Sequence, residues 1–278
     1  MNAAPASPDV KVRELEVGGA GGPLSARLYA AGPAAKRDML VVFFHGGGFT
    51  GGDLEEADDF LRGLAESDHQ PLVLASRYTL ATVKPFPAAV EDAHAVLKWS
   101  KKNKTKLGWT GKLLVVSGIE AGANLAAVCG LMSRDRGGPT LAGQLLIMPM
   151  LDPGLSTGSM RQMTHCLERE KVTAVCAQAY RGYLPNAADR AHPYASPLQS
   201  SRLKNLPPAL ILSAEDDPLR DEAEQYGAKL INAGVRTTVR RLPPAQLTDP
   251  NARNECACRL HAMSEIDVFL SGLEGQGE

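Results

Sequence analysis

The chain has 278 residues, of which 44% are hydrophobic and 22% are charged, and this is the composition of an ordinary globular protein. Thirty basic and 31 acidic residues leave a formal net charge of −1, so no field that attracts nucleic acid or an anionic membrane is expected. The first residues, 1–11, carry no apolar run typical of a secretory signal, and no stretch approaches the roughly 18 apolar residues of a membrane span. These features predict a cytoplasmic protein that binds neither nucleic acid nor a membrane.

Short apolar runs, bounded by glycine, proline or polar residues, alternate along the chain with stretches of helical spacing. The predicted strands are Leu24–Tyr29, Met39–Phe44, Pro71–Ser76, Leu113–Ser117, Gln144–Met148, Ala209–Ser213 and Arg236–Leu242. The predicted helices are Ala57–Glu66, Phe86–Asn103, Ala121–Arg134, Leu219–Ala233 and Ala252–Leu270. Strands that alternate with helices predict an α/β fold with a mostly parallel sheet covered on both faces. The last predicted strand is the most polar, which suits a position near the edge of the sheet.

Residues 151–199 break this alternation. They show helical spacing in Val172–Tyr183 and are otherwise rich in turn residues. Because ligands of open α/β sheets bind outside the carboxyl ends of the strands, we expect this insertion to form a short helical cap over the site. The rest of the chain belongs with it to a single predicted domain, residues 1–278.

The cysteines predict neither a disulfide framework nor a metal site. There are five of them, an odd number, scattered through a large domain. Cys256 and Cys258 form a CxC pair, but no second pair or matching histidine lies near it, so both are interpreted as helix residues. The sequence therefore predicts a protein with reduced cysteines that uses no metal ion and no cofactor.

The first functional motif is His45-Gly46-Gly47-Gly48-Phe49, directly after a predicted apolar strand. Three glycines allow the backbone to approach a ligand closely and to direct its N–H groups at one point. Such a loop serves as an oxyanion hole, a set of donors for a developing negative charge. A plain glycine-rich turn is the favoured explanation if the motif stands alone.

The second motif is Gly118-Ile119-Glu120-Ala121-Gly122, between a predicted strand and a predicted helix. Small residues around a central side chain are typical of a sharp strand–turn–helix elbow. Further along the chain come Ser196-Pro197-Leu198, Leu206-Pro207-Pro208-Ala209 and Glu215-Asp216-Asp217-Pro218-Leu219-Arg220-Asp221-Glu222. In this order the motifs resemble the hormone-sensitive-lipase family of α/β-hydrolases, the bacterial carboxylesterase and lipase branch, over about residues 40–270. The resemblance implies an α/β-hydrolase fold.

The resemblance also implies a role for each matching residue. It places oxyanion-hole amides at Gly46, Gly47 and Ala121, and it puts Glu120 at the position of the nucleophilic serine. Asp217 takes the position of the triad acid. The alignment sets Leu247 at the position of the catalytic histidine, so that residue is non-catalytic here.

No other residue of the sequence restores the missing pair. No histidine occurs between His192 and His261, and Asp249-Pro250 reads as the start of a helix that carries His261 as a surface or packing residue. His45 is expected to fix the glycine loop, and Ser117 ends a buried strand before the turn. Because the serine mechanism needs a Ser–His pair, the sequence argues against ester hydrolysis by that mechanism.

Three functions are weighed for such a chain. The first is a non-hydrolytic pseudo-hydrolase that binds a small molecule of unknown identity, with Glu120 folded into its own oxyanion hole. The second is a repurposed cyclase, dehydratase or isomerase in which Glu120, facing Asp217, is a general acid/base. The third is residual hydrolase activity. Asp217 is expected to find backbone amides, water or Arg220 as donors, and a homodimer through the last strand and helix is implied only by the family.

Overall fold

The computed structural model of the protein describes residues 10–33, 36–163, 167–246 and 252–275. Within these ranges eight strands form one sheet. They are β1 (Val10–Gly18), β2 (Pro23–Ala31), β3 (Arg37–Phe44), β4 (Leu72–Ser76), β5 (Trp109–Ile119), β6 (Gly143–Ile147), β7 (Ala209–Ala214) and β8 (Thr237–Leu242). Their order across the sheet is β1-β2-β4-β3-β5-β6-β7-β8.

Helices lie between successive strands from β3 onwards, and the last two follow β8. They are α1 (Asp58–Glu66), α2 (Ala88–Lys102), α3 (Lys104–Leu107), α4 (Ala121–Asp135), α5 (Gly158–Met163), α6 (Leu167–Tyr183), α7 (Arg220–Asn232), α8 (Ala252–Cys258) and α9 (Leu260–Glu274). Short 3-10 turns cover Glu55–Ala57, Ala187–Ala191 and Pro197–Gln199. No helix in the described ranges is long and apolar enough to cross a membrane.

The sheet is parallel from β4 to β8, and only β1 and β2 run antiparallel to their neighbours. Side chains of the central strand β3 alternate between two apolar clusters, one on each face of the sheet. Residues of α2, α4 and α7 complete one cluster, and residues of α1, α8 and α9 complete the other. Full burial of each large apolar side chain contributes roughly 1.5–3 kcal/mol, so the two clusters hold the layers together. The prediction of a mostly parallel sheet with helices on both faces is confirmed.

The ends of the sheet show where the sequence pattern was weakest. The strand β1 was not predicted, because its four apolar side chains form no continuous run and only Val10 and Val17 are buried. The polar strand β8 does lie at the opposite edge, as predicted. The single helix predicted for Ala252–Leu270 is two helices, because Arg259 has an extended backbone (φ −67°, ψ 148°) that separates α8 from α9.

The segment between β6 and β7 holds α5, α6 and two of the 3-10 turns. Helix α6 starts earlier than the predicted Val172 and packs on the glycine-rich loop after β3. The rings of Phe49 in that loop and Tyr183 in α6 are stacked with their centroids 3.8 Å apart. This packing lays α6 over the carboxyl end of β3.

Candidate active site

Glu120 forms the turn between β5 and α4, at the carboxyl edge of the sheet. Its backbone angles are φ 55° and ψ −110°, a left-handed conformation that costs a non-glycine residue about 1–3 kcal/mol. The turn is fixed from both sides, because the Glu120 amide donates to the Ile147 carbonyl at 3.0 Å and the Met150 amide donates to the Glu120 carbonyl at 3.1 Å. The strained turn holds the Glu120 side chain at the N-terminal end of α4.

Two glycines make this turn sterically feasible. A Cβ on Gly122 would lie 1.9 Å from the carbonyl oxygen of Phe44, and a Cβ on Gly118 would lie 2.2 Å from the carbonyl carbon of Gly122. Both distances are too short for any side chain, so the start of α4 can approach β3 and β5 this closely only with glycine. The predicted strand–turn–helix elbow is therefore present in the structure.

The glycine-rich loop faces this elbow and binds the Glu120 carboxylate. Gly47 and Gly48 have positive φ values of 105° and 59°, and these angles turn their consecutive amides inward. The Gly47 amide donates to Glu120 Oε2 at 2.6 Å, and the Gly48 amide donates to the same atom at 3.0 Å. Amide donors of this kind stabilise a negative charge on the bound oxygen. Glu120 thus folds back onto the glycine loop, as the first of the three hypotheses described.

Of the three amides that the resemblance implied, only that of Gly47 donates to the carboxylate. The expected donors were Gly46, Gly47 and Ala121, whereas the donors to the carboxylate in the described residues are Gly47 and Gly48. Gly46 lies beside Glu120, but its carbonyl oxygen is bound to His45 Nδ1 at 2.7 Å. Sequence spacing could not decide which of three successive glycines turns its N–H inward, because that depends on their φ angles.

Asp217 has a partner that the sequence analysis missed. Arg253, at the start of α8, donates from Nε to Asp217 Oδ2 at 2.8 Å and from Nη2 to Oδ1 at 2.9 Å. The Leu219 amide also donates to Oδ1 at 2.9 Å. The Asp217 side chain is fully buried and that of Arg253 is only 11% exposed. This is a buried bidentate ion pair, a geometry that arginine suits better than any other side chain.

Arg253 also connects Asp217 to the elbow. Its Nη1 lies 3.9 Å from Glu120 Oε1, the carboxylate oxygen that does not accept from the glycine loop. Burial by itself would lower the pKa of Arg253, but the charge of Asp217 and the hydrogen bonds to it raise that pKa above its ordinary value. The guanidinium therefore stays charged and has no lone pair with which to accept a proton. Arg253 stands beside Asp217 as a fixed cation and cannot serve as a general base.

The remaining expectations around Asp217 are settled in part. Arg220 was named as a donor, but it pairs with Asp221 at 2.9 Å and with the carbonyl oxygen of Glu215. Of the three candidate donors, a backbone amide is confirmed by that of Leu219, whereas the side chain of Arg220 points along its own helix start. Leu247 and the helix start at Asp249-Pro250 lie outside the described residues. Nothing in the sequence marked Arg253, since an arginine at the start of a helix is usually exposed.

Two histidines discussed in the sequence have structural surroundings. His45 is buried, and its ring stacks on Tyr78 with centroids 4.4 Å apart. Burial lowers its pKa, which keeps the ring neutral and bound to the loop. His261 is exposed on α9, as expected for a surface residue.

A buried thiol of the covering helix also lies close to the ion pairs. Cys176 in α6 interacts electrostatically with Arg253 and Glu120. Burial raises the pKa of the Cys176 thiol to about 12, so it is protonated at neutral pH. Because the thiolate is the nucleophilic form, Cys176 is not a nucleophile of this site.

A surface cavity of about 570 Å³ lies elsewhere on the protein. Its wall includes Arg134, Lys204 and Lys229, and none of its lining residues belongs to the elbow or to the glycine loop. Two of these side chains already donate hydrogen bonds to main-chain carbonyl oxygens. Arg134 donates to that of Lys204, and Lys229 donates to that of Leu198. The arrangement of the elbow, not the size of this cavity, defines the candidate active site.

The fold and the site together define a class. A mostly parallel sheet, a strained residue between a central strand and a buried helix, and a glycine loop whose amides face that residue are the features of an α/β-hydrolase.

The chain matches the family described as the alpha/beta hydrolase fold over residues 41–246, well over half its length, and it belongs to that family. Esterase LipI of Mycobacterium tuberculosis is 33% identical over 239 residues, which is 84% of this chain and 73% of that protein. Carboxylesterase NlhH of the same organism is 34% identical, over 85% of this chain and 74% of that protein. An esterase from Pyrobaculum calidifontis superposes with a TM-score of 0.86 at 36% identity, over 97% of this chain and 87% of that chain.

These relatives correct the functional prediction. A non-hydrolytic pseudo-hydrolase was expected, as was, in second place, a cyclase, dehydratase or isomerase. The relatives are named esterases and carboxylesterases, which favours a hydrolase. The first expectation was wrong because it weighed only the missing serine and histidine, whereas the elbow, the inward amides and the buried acid are all retained. The predicted family and its α/β-hydrolase fold are confirmed.

Proposed function

We propose that the protein hydrolyses carboxylic esters at the elbow, with the Glu120 carboxylate as the general base. The observation that carries the proposal is the contact of Glu120 Oε2 with the amides of Gly47 and Gly48. Amides directed at one point bind the carbonyl oxygen of the substrate in ester hydrolases, and this supports the same role for these two amides. A basic oxygen and an oxyanion hole therefore stand at the same point of the structure.

The reaction needs no serine and no histidine. The ester carbonyl oxygen accepts hydrogen bonds from the two amides in place of Glu120. The Glu120 carboxylate turns away from them towards Arg253, whose Nη1 already lies 3.9 Å from Oε1. Glu120 removes a proton from water, and the hydroxide formed attacks the ester carbon. The carbon–oxygen bond to the alcohol then breaks, and Glu120 returns the proton to the leaving oxygen. Ester and water give acid and alcohol, and the carboxylate is restored.

Arg253 and Asp217 are positioning residues in this scheme. The two hydrogen bonds to Asp217 fix the guanidinium, whose remaining nitrogen faces Glu120. A fixed cation gives the displaced carboxylate an alternative ion-pair partner. The amides of the glycine loop are then free to bind substrate. Without Arg253, removal of Glu120 from the amides would leave its charge buried with no partner, which is strongly unfavourable.

The expected rate is modest. Loss of the serine or histidine of a triad costs roughly a millionfold in turnover, and the oxyanion hole and binding alone leave about a 10³–10⁴-fold advantage over water. A well-placed general base adds about 10²–10⁴-fold. We therefore expect slow hydrolysis of small, uncharged esters without a metal ion or cofactor.

The cytoplasmic location and the homodimer stay predictions.

The test is steady-state hydrolysis of p-nitrophenyl butyrate by the unchanged protein and by Glu120→Gln. Glutamine keeps the shape of the side chain and can still accept from the amides, but it cannot take a proton from water. We expect kcat/KM to fall by at least about 100-fold. Glu265→Gln, on the surface of α9 and paired with Arg240, is the matched control and should leave kcat/KM unchanged. Equal activity of Glu120→Gln and the unchanged protein, or a rate no faster than buffer, would contradict the proposal.

A further inference from the structure

Three polar side chains form a second array on the far side of the sheet from the elbow. His69 lies in the turn between α1 and β4, and its ring faces the last two turns of α9. Ser271 Oγ is 2.9 Å from His69 Nε2, and Glu274 Oε2 is 3.0 Å from His69 Nδ1. Ser271 and Glu274 are three residues apart on α9, so they lie on one face of that helix with the imidazole between them.

The carboxylate decides which nitrogen of His69 carries the proton. An ionised carboxylate only accepts hydrogen bonds, so Nδ1 must donate to Glu274. In the neutral ring Nε2 then has the lone pair, and the Ser271 hydroxyl donates its proton to it. The order hydroxyl, imidazole, carboxylate is that of an activated nucleophile, its base, and the acid that orients the base.

We infer that Ser271 is an acyl-acceptor site that takes acyl groups from small activated esters. Ser271 Oγ attacks the acyl carbon of an aryl ester, its proton passes to His69 Nε2, and the bond from carbon to the aryl oxygen breaks. His69 gives the proton to the released aryl oxide. The products are O-acyl-Ser271 and the phenol, and Glu274 stabilises the imidazolium that forms in between.

The surroundings of the array limit its substrates. Ser271 is exposed, whereas the side chain of His69 is only 12% exposed and therefore held in place. Glu274 is 47% exposed, and Asp267, one turn before Ser271, lies close enough to His69 for their charges to interact. Asp68 adds a further negative charge beside Asp267. Neutral or cationic acyl donors suit this acidic patch, and anionic donors are repelled.

The position on the helix predicts a single acylation instead of rapid turnover. Ser271 lies one turn before the C-terminal end of α9, where a helix presents carbonyl oxygens and a partial negative charge. Such a place gives no stabilisation to the oxyanion through which the acyl group must be released again. The acyl-serine therefore accumulates.

The experiment is reaction of the protein with phenylmethanesulfonyl fluoride, followed by intact mass measurement and peptide mapping. The sulfonyl fluoride is a neutral reagent that marks activated serines. We expect one equivalent of label on Ser271, and about 100-fold slower labelling in His69→Gln, since a general base typically contributes at least that factor. Glu274→Gln, which can orient the ring less well, should give an intermediate rate.

Ser201 is the internal control, because it is also exposed and shows no histidine contact among the described residues. Labelling of Ser271 no faster than of Ser201, or labelling that His69→Gln does not slow, would overturn the inference. Circular dichroism of His69→Gln checks that its fold is unchanged. Labelling is repeated in Glu120→Gln, where the same rate at Ser271 is expected because Glu120 follows a strand at the carboxyl edge of the sheet and His69 precedes a strand at its amino edge.

Discussion

The elbow and the array on α9 each contain part of what a serine hydrolase needs. The elbow has the amide donors, and the array has the nucleophile, the base and the acid. At the elbow, amides and a helix N-terminus face Glu120, and the neighbouring acid Asp217 is bound to Arg253, which cannot accept a proton. On α9, Ser271, His69 and Glu274 stand in the order of a nucleophile, a base and an acid, but at the C-terminal end of a helix. One region can stabilise an oxyanion and the other can activate a hydroxyl.

The difference shows that a set of side chains and its electrostatic setting are separate requirements for catalysis. The elbow is buried, covered by α6 and surrounded by fixed donors, so a single carboxylate there has a defined environment. The array on α9 has a familiar order of side chains at a surface where water screens charge. We therefore expect turnover at Glu120 and only stoichiometric acylation at Ser271.

The largest expected effect is on stability and separates the buried ion pair from surface pairs. Arg253→Met leaves Asp217 charged and buried, which should cost about 3–5 kcal/mol in the free energy of unfolding, measured by guanidinium chloride denaturation. Arg240→Met removes an exposed pair with Glu265 and should cost no more than about 1 kcal/mol. The double variant Arg253→Met/Asp217→Leu should recover most of the loss. A loss below about 1 kcal/mol for Arg253→Met would show that Asp217 is not held by Arg253.

The second effect is on activity and concerns the glycine loop. A Cβ on Gly47 would lie 2.4 Å from the carbonyl oxygen of Gly51, and the φ of 105° disfavours any side chain, so Gly47→Ala must displace the amide. Removal of one oxyanion donor lowers kcat by about 10²–10³-fold, and we expect that loss in ester hydrolysis. Gly137→Ala is the control, because Gly137 also has a positive φ but open space around it. Unchanged turnover in Gly47→Ala would place the reaction away from the loop.

The smallest effect is expected at the array on α9. His69→Gln breaks a partly exposed contact with Glu274, so the free energy of unfolding should change by no more than about 1 kcal/mol. Thermal and denaturant unfolding of this variant beside the unchanged protein measures the difference. A loss of several kcal/mol would mean that His69 serves mainly to hold α9 against the turn after α1.

Much of the fold could be predicted from the sequence, because buried parallel strands consist of short apolar runs. Runs such as Met39–Phe44 and Ala209–Ser213 became β3 and β7 with ends displaced by one or two residues. The strand β1 was missed, since at the edge of a sheet a strand needs few apolar side chains. The break between α8 and α9 was missed because the apolar spacing continues across Arg259.

The site was predictable only where local chain geometry determines it. The elbow around Glu120 depends on two glycines close in sequence, and the motif alone indicated it. The ion pair between Arg253 and Asp217 joins residues 36 positions apart in the sequence. No local sequence pattern distinguishes a buried arginine from an exposed one. The array of Ser271 and His69 joins residues 202 positions apart, so only the packing of α9 on the turn after α1 reveals it.

The central claim is that the Glu120 carboxylate activates water and is not itself acylated. Hydrolysis of p-nitrophenyl butyrate by the Ser271→Ala variant in ¹⁸O-labelled water, with one turnover per protein molecule, tests it directly. The account predicts one ¹⁸O atom in the butyrate released and none in the tryptic peptide that contains Glu120. Label in the Glu120 side chain would reveal an anhydride between substrate and carboxylate and would contradict the account.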